Sequence, residues 1–296
     1  MTAIAVSITA AVGFVVQERR TEFPLLDFAL FRSPRFSTGA AAISVAFFAM
    51  VGFIFGLTQY FQFVQGFTPF EAGIRFLPTA FGFMAGAIGS EMLAVRIGSR
   101  RLVVGGLVIV SAVMPLVLLW GVDTSYLVIG PVIAAIGLGV GMVVAPSSEA
   151  VMGAVDQAKA GVGSAMNDVI QMLASALSIA VIGSVMYAIY SARLGDAAAS
   201  LPAEARDAVQ DSVGAAVQAA TTLPQADALI LSNAARASFT DALGLAILIG
   251  SGLTLIGAVV IARFMPASQA SGHGSAHGGD SAHSVHAAPH GAAAGD

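Results

Sequence analysis

Cysteine is absent from the 296 residues, which excludes disulfides, thiolate zinc and iron–sulfur sites and a Cys nucleophile, and leaves the redox compartment unread. Charge is scarce: 13 Lys and Arg with 17 Asp and Glu make up 10% of the chain, against roughly 25% in soluble domains. The net charge of −4 lacks the electrostatic footprint of a nucleic-acid binder. Lys159 is the one lysine, and no G-x-x-x-x-G-K-[ST] surrounds it, so the chain carries no P-loop through which to use ATP. His273, His277, His283, His286 and His290 are the only histidines and lie near the C-terminus. No apolar run contains an imidazole, which excludes a Ser-His intramembrane protease and an H-E-x-x-H zinc protease. Their irregular spacing among Gly, Ala and Ser reads as a low-complexity tail rather than a metal site. No enzyme activity and no cofactor are expected.

What the chain has in excess is apolar surface. Hydrophobic residues make up 57% and the mean hydropathy is +0.85, more than one globule can hide behind a polar skin, so the expected class is an all-α polytopic membrane bundle. Apolar runs fall at about 1–16, 38–64, 70–95, 102–121, 126–148, 158–190 and 238–262. Most reach the ~20 residues needed to cross ~30 Å of hydrocarbon. The first is short, and its basic flank, Arg19 and Arg20, follows it, the reverse of a secretory signal. It reads as the end of a helix, 1–16, followed by a cytoplasmic interfacial connector over 17–37 whose Arg32 and Arg35 snorkel. The bundle proper is 38–264, with an outside loop at 191–237 in which Ser200 and Pro202 open an amphipathic surface helix. Residues 265–296 are expected to be disordered. Alternating the loops puts nine Lys and Arg on one side and four on the other, so the N-terminus is expected outside and the C-terminus cytoplasmic.

Within the spans, Gly52 and Gly56, Gly82 and Gly86, and Gly137 and Gly141 each form G-x-x-x-G, the spacing of closely packed or sliding helices. GLGVG at 137–141 is not a dinucleotide fingerprint, since no strand precedes it and Met142 and Val144 follow. Eleven of 18 Phe lie between 47 and 83, together with Gln59, Tyr60 and Gln62. Amides among rings suit a cavity for lipophilic, partly aromatic compounds, although aromatics also face lipid. The sixth span carries Ser164, Asp168, Gln171, Ser175 and Ser178 at steps of four, three, four and three, one stripe of a single helix. A charged residue at the bilayer centre costs roughly 2.5–3.5 kcal/mol on insertion scales, so Asp168 is expected to face a wet cavity or a partner. Asn167, Gln171 and Ser175 are its candidate companions in a substrate cavity, with Asp168 coupling to protons or sensing cations. Glu91, Arg96, Arg100, Arg101 and Glu149 cluster at helix ends on the cytoplasmic side and are candidate gating or anchoring residues.

Three segments carry a resemblance: ERRTEFPLLDFALFRSPRF at 18–36, TPFEAGIRFLP at 68–78, and the run from Gly137 through APSSEAVMGAV, KAGVGSAMND and IGS to Ser184. In this order they resemble the fourteen-helix drug:proton antiporters of the major facilitator superfamily, over about 17–264. The resemblance implies proton-driven efflux by alternating access between two six-helix bundles, of which this chain would hold the C-terminal one plus the end of a linker helix. The N-terminal bundle, with the family's antiporter motif, or a second half-transporter would then be its partner, alongside lipid, substrate and protons. Relatives tend to carry Arg at the place of Gln171 and glycines at or near Ala174, Ser175 and Ser178. RIGSRR at 96–101 resembles the loop between the superfamily's second and third helices, with Val95 where an Asp is usual. The expected function is multidrug efflux of lipophilic or cationic molecules in the inner (plasma) membrane. Export of a lipid precursor or self-made antibiotic, and a non-transporting fragment or interaction subunit, are the alternatives.

Overall fold

The computed structural model describes residues 28–156, 160–198, 206 and 209–266. Among the described residues, eight α-helices carry the fold: α1 Pro34–Gln59, α2 Pro69–Arg75, α3 Leu77–Ile97, α4 Ser99–Val113, α5 Tyr126–Met152, α6 Ala160–Ala198, α7 Val213–Ala220 and α8 Gln225–Phe264. A π-turn, Tyr60–Val64, prolongs α1, and a 3-10 turn, Met114–Leu119, prolongs α4. Among the described residues, six stretches are long and apolar enough to cross a membrane: Pro34–Val64, Pro69–Ile97, Ser99–Leu119, Tyr126–Met152, Ala160–Gly195 and Asp227–Phe264. The run at 1–16, the surface helix expected from Ser200 and Pro202, and the tail beyond 266 lie outside the described residues.

Helix ends differ from the hydropathy bounds for local reasons. α1 starts at Pro34 rather than 38 because Ser33 caps it, its hydroxyl accepting from the Phe36 N–H at 3.5 Å, and Pro34 fits the first turn. Between α2 and α3 the chain turns at Phe76. At the start of α2, Thr68 builds a full capping box with Glu71, accepting from its N–H at 3.3 Å while Glu71 accepts the Thr68 N–H at 2.9 Å. Gly98, at φ 85°, ends α3 and begins α4 in one step, a conformation a Cβ disfavours. α6 runs on to Ala198 and α8 begins at Gln225, so both helices extend into the expected 191–237 loop, with α7 between them.

α5 packs against α1, α3 and α4, with about half of its residues buried. α3 lies against it through Thr79, Gly82, Gly86 and Ser90. A Cβ on Gly82 or Gly86 would run into the Ala134 or Leu138 carbonyl, and one on Gly137 or Gly141 into the Thr79 or Phe83 carbonyl. The two G-x-x-x-G pairs therefore face each other and set a backbone-to-backbone crossing. Gly106 of α4 meets Gly139 of α5 in the same way. α1 instead uses Gly52 and Gly56 to seat Ser178, Ile182 and Met186 of α6 and Leu243 of α8.

α6 packs along one ridge: Met166, Ile170, Ala174, Ser178, Ile182, Met186, Tyr190 and Leu194 are all buried at steps of four. Four residues overshoot one turn by about 40°, so such a ridge winds slowly round its helix. The polar stripe, averaging 3.5 residues per step, stays nearly in line. Stripe and ridge therefore meet at Ser178 and diverge towards the start of α6.

Candidate functional site

Their divergence decides where each polar side chain of α6 goes. Ser164 and Asp168 are exposed, Gln171 and Ser175 half-buried, and Ser178 fully buried. The Ser178 hydroxyl donates to the Phe48 carbonyl of α1 at 2.5 Å, and the Ser175 hydroxyl donates back to the Gln171 carbonyl at 2.7 Å. Near the start of α6, the Ser148 hydroxyl of α5 donates to Asn167 Oδ1 at 3.5 Å. That contact brings Asn167 and Asp168 alongside the last turn of α5, which carries the exposed Glu149. Gly153 closes this turn, its N–H donating to the Glu149 carbonyl at 2.8 Å. A Cβ on Gly153 would lie 3.2 Å from an Arg35 guanidinium nitrogen, so Arg35 rests on the C-terminus of α5, where a cation suits the helix dipole. Hydropathy reads Arg35 as a lipid-interface residue and does not reveal this seat.

The aromatic end of α1 divides in two. Tyr60 is fully buried, its hydroxyl donating to the Gly121 carbonyl at 2.6 Å and its ring 5.7 Å from that of Trp120. Gln65 donates to the Thr124 carbonyl at 2.8 Å. Tyr60 and Gln65 thus tie α1 to the turn between α4 and α5. Gln59 lies on another side, lining a cavity of about 160 Å3 with residues of α6, α8 and the segment before α7. Gln62 is half-buried within the π-turn. Arg75 stacks over the Phe67 ring at 3.5 Å, and its carbonyl accepts the Tyr126 hydroxyl at 3.1 Å, which fixes the α1–α3 connection to α5. The niche residues Tyr187, Tyr190 and Asp211 are absent from the expectations drawn above. The signal for them is Tyr at i and i+3 near the end of a span, where aromatic residues gather.

At the opposite end, Glu91, Arg96 and Arg101 are exposed. Arg100 is half-buried and donates to the Ala262 carbonyl in the last turn of α8, satisfying a carbonyl that the helix leaves open. A larger groove of about 460 Å3 runs between α1, α6 and α8, walled by Phe31, Val45, Phe48, Leu173, Leu177 and Leu253. It is apolar and does not include the stripe.

A sequence model of the Major Facilitator Superfamily matches residues 4–179. The chain belongs to the Major Facilitator Superfamily. This is a superfamily of carriers, which points to transport rather than catalysis. The multidrug efflux pump LfrA of Mycolicibacterium smegmatis is 30% identical over 259 residues, 88% of this chain and 51% of the pump. The tetracenomycin C resistance and export protein of Streptomyces glaucescens is 30% identical over 273 residues, 87% of this chain and 49% of its own length. The methyl viologen resistance protein SmvA of Salmonella typhimurium is 28% identical over 76% of this chain and 46% of its own. The chain thus spans about half the length of these curated relatives. In fold it is similar to a bacterial homologue of the human lysosomal transporter Spinster, solved inward-facing and unoccupied. That match has a TM-score of 0.53 at 17% identity and covers 81% of this chain and 51% of the other. Six apolar helices in a superfamily of this kind make the chain a multi-pass membrane protein.

Proposed function

We propose that this chain is the C-terminal six-helix bundle of an exporter of lipophilic or cationic small molecules, driven by proton exchange in the inner membrane, with its C-terminus cytoplasmic. The observation that carries this reading is the 87–88% of the chain over which it aligns with a multidrug efflux pump and a tetracenomycin C export protein. The fourteen-helix subfamily is part of the proposal, and so is a second bundle as partner. Asp168 is the proton-coupling or cation-sensing group. It stands exposed on a membrane-length helix, where an ionisable residue needs a wet cavity or a partner. Asn167, Gln171 and Ser175 lie within one turn or two of it and supply hydrogen bonds to substrate, with Gln59 and Gln62 nearer the other end of the bundle, where the buried Tyr60 holds the end of α1 through the Gly121 carbonyl rather than meeting substrate. Glu91, Arg96, Arg100, Arg101 and Glu149 gate the cytoplasmic end.

Asp168 tests this reading. A carboxyl that binds a proton in one state and releases it in another couples the gradient to the conformational change. In an exporter completed with its second bundle, Asp168→Asn is expected to reach the membrane normally and lose proton-driven dye efflux, whereas Asp168→Glu retains part of it. Efflux by the Asn variant that matches the parent across a pH series removes Asp168 from coupling. Loss of the variant from the membrane makes it a packing residue. A second reading, export of a self-made antibiotic, is favoured by the similarity to the tetracenomycin C protein. It uses the same site.

A further inference from the structure

The apolar groove of about 460 Å3 between α1, α6 and α8 contains none of the residues placed above in transport. It begins at Phe31, in the 3-10 turn Phe28–Arg32 that precedes α1, and runs along α1 as far as Phe48. We propose that this groove seats one acyl chain of an anionic phospholipid whose phosphate is held by Arg32. Such a lipid is resident and not cargo, so the assignment stands or falls independently of export.

Shape selects the chain. The Phe31 ring meets that of Phe36 edge-on, with centroids 5.0 Å apart, so the groove starts level with Phe36. Spread over the ~18 Å of α1 from there to Phe48, its volume has a cross-section of roughly 25 Å2. A methylene chain with van der Waals contacts at about 3.5–4.0 Å needs about 20 Å2, whereas a helix 10 Å across takes about 80 Å2. The length suits one leaflet, half of the ~30 Å hydrocarbon core. Leu173 and Leu177 of α6 and Leu253 of α8 wall the groove and are exposed, so it opens sideways to lipid. Of its polar members, Thr254 turns its hydroxyl to the Gly250 carbonyl of its own helix at 2.8 Å, which leaves the lining suited to hydrocarbon.

Charge selects the head. An apolar groove cannot choose among lipids, whose tails are alike; the group at its mouth can. Arg32 follows Phe31 directly and is exposed, and among the described residues no hydrogen bond or ion pair engages its guanidinium. The next cation, Arg35, already rests on the C-terminus of α5. α1 starts at Pro34, so its positive end lies at the same level. No Asp or Glu lines the groove. A guanidinium beside a helix N-terminus favours a phosphate with no neighbouring ammonium, because each basic residue at the membrane surface attracts anionic lipid and Arg can grip phosphate oxygens in pairs.

The test places a fluorescent reporter on the groove wall with Phe48→Trp in the full chain, reconstituted in phosphatidylcholine bilayers and titrated with lipids whose chains are brominated to quench it. Trp120, the one native tryptophan, is almost completely buried, and the parent chain measures its background. Brominated phosphatidylglycerol is expected to reach half of its quenching at a mole fraction about five-fold lower than brominated phosphatidylcholine does. Arg32→Gln is expected to bring the two titrations together, and Arg32→Lys, which keeps the charge, to hold the gap within about two-fold. Equal quenching by the two lipids overturns the proposal, as does a gap that survives Arg32→Gln. Quenching by neither overturns it in favour of a groove covered by the chain itself, for which the apolar run at 1–16 is the candidate. If Phe48→Trp fails to fold, native mass spectrometry of the parent chain, released from micelles holding equal amounts of the two unbrominated lipids, decides. Phosphatidylglycerol adducts in about five-fold excess, levelled by Arg32→Gln, sustain the site, and equal adducts on the parent chain overturn it.

Discussion

In the seam between α1 and α6, the Ser178 hydroxyl reaches the Phe48 carbonyl at 2.5 Å with no part of the residue exposed. Gly52 makes this possible, because a Cβ there would fall on the Ser178 oxygen and on Ile182. Hydrogen bonds between helices inside membranes contribute about 0.6 kcal/mol on average and ~1.7 at most, since the separated helices also find partners. Ser178→Ala removes the donor without adding bulk. It is expected to lower unfolding stability, titrated with denaturant in mixed micelles, by about 0.6 kcal/mol. A loss above ~2 kcal/mol would mean that the hydroxyl holds more than this one carbonyl. Asp168, ten residues earlier on the same stripe, has no comparable seat and stands exposed. The sequence pattern makes the two residues look equivalent, because a helical wheel records angle and not the drift of the packing ridge. What separates them is the four-residue ridge from Met166 to Leu194, and that depends on how α6 lies across α1.

Among the elements, α3 and α5 have the closest approach, and glycine sets it. The pairs Gly82 with Gly86 and Gly137 with Gly141 are legible in the sequence as candidate close-packing motifs, since no other residue leaves the backbone bare at i and i+4. That they pack on each other is a property of the fold. Gly86→Leu would drive its Cβ into the Leu138 carbonyl, backbone that can yield only by separating the helices. Overpacking costs typically 1–3 kcal/mol, occasionally more, so the variant is expected to lose most of its monodisperse yield and several degrees of thermal midpoint. Gly89, one turn on, would meet nothing within 4 Å, and Gly89→Ala should be neutral or slightly stabilising through helix propensity. Equal tolerance of both changes would mean that α3 and α5 do not cross as described. The caps at Ser33 and Thr68 lie on Ser-Pro and Thr-Pro-x-Glu, and hydropathy misplaces the first start by four residues because Pro34, Arg35 and Ser37 dilute the apolar window. The long extents of α6 and α8 are hidden for the same reason, their ends being polar helix beyond the apolar run.

For the molecule as a whole, the decisive feature is that one compact bundle presents its carboxylate outward. α6 exposes Asp168, Met172 and Leu173 along one flank, and α3 exposes Phe81, Met84, Ile88 and Met92 along another. Transporters built from repeats bind substrate between them near the bilayer midplane and rock one repeat against the other. On the proposed reading these flanks and the stripe complete a cleft only when a second bundle faces them, and one bundle has nothing to rock against. Purified chain in liposomes, free of other carriers, is therefore expected to show no exchange of protons for a cationic dye. Co-reconstitution with a matching N-terminal bundle should start exchange, and Asp168→Asn in this chain should stop it again. The lipid-facing surface alone does not distinguish this outcome, because apolar side chains such as Phe81 and Met92 suit acyl chains as well as a protein partner. The measurement does. Exchange by the chain alone that rises with the square of its density would mean that two copies build the cleft between themselves. Exchange proportional to density would place a complete path within one bundle and overturn the half-transporter reading.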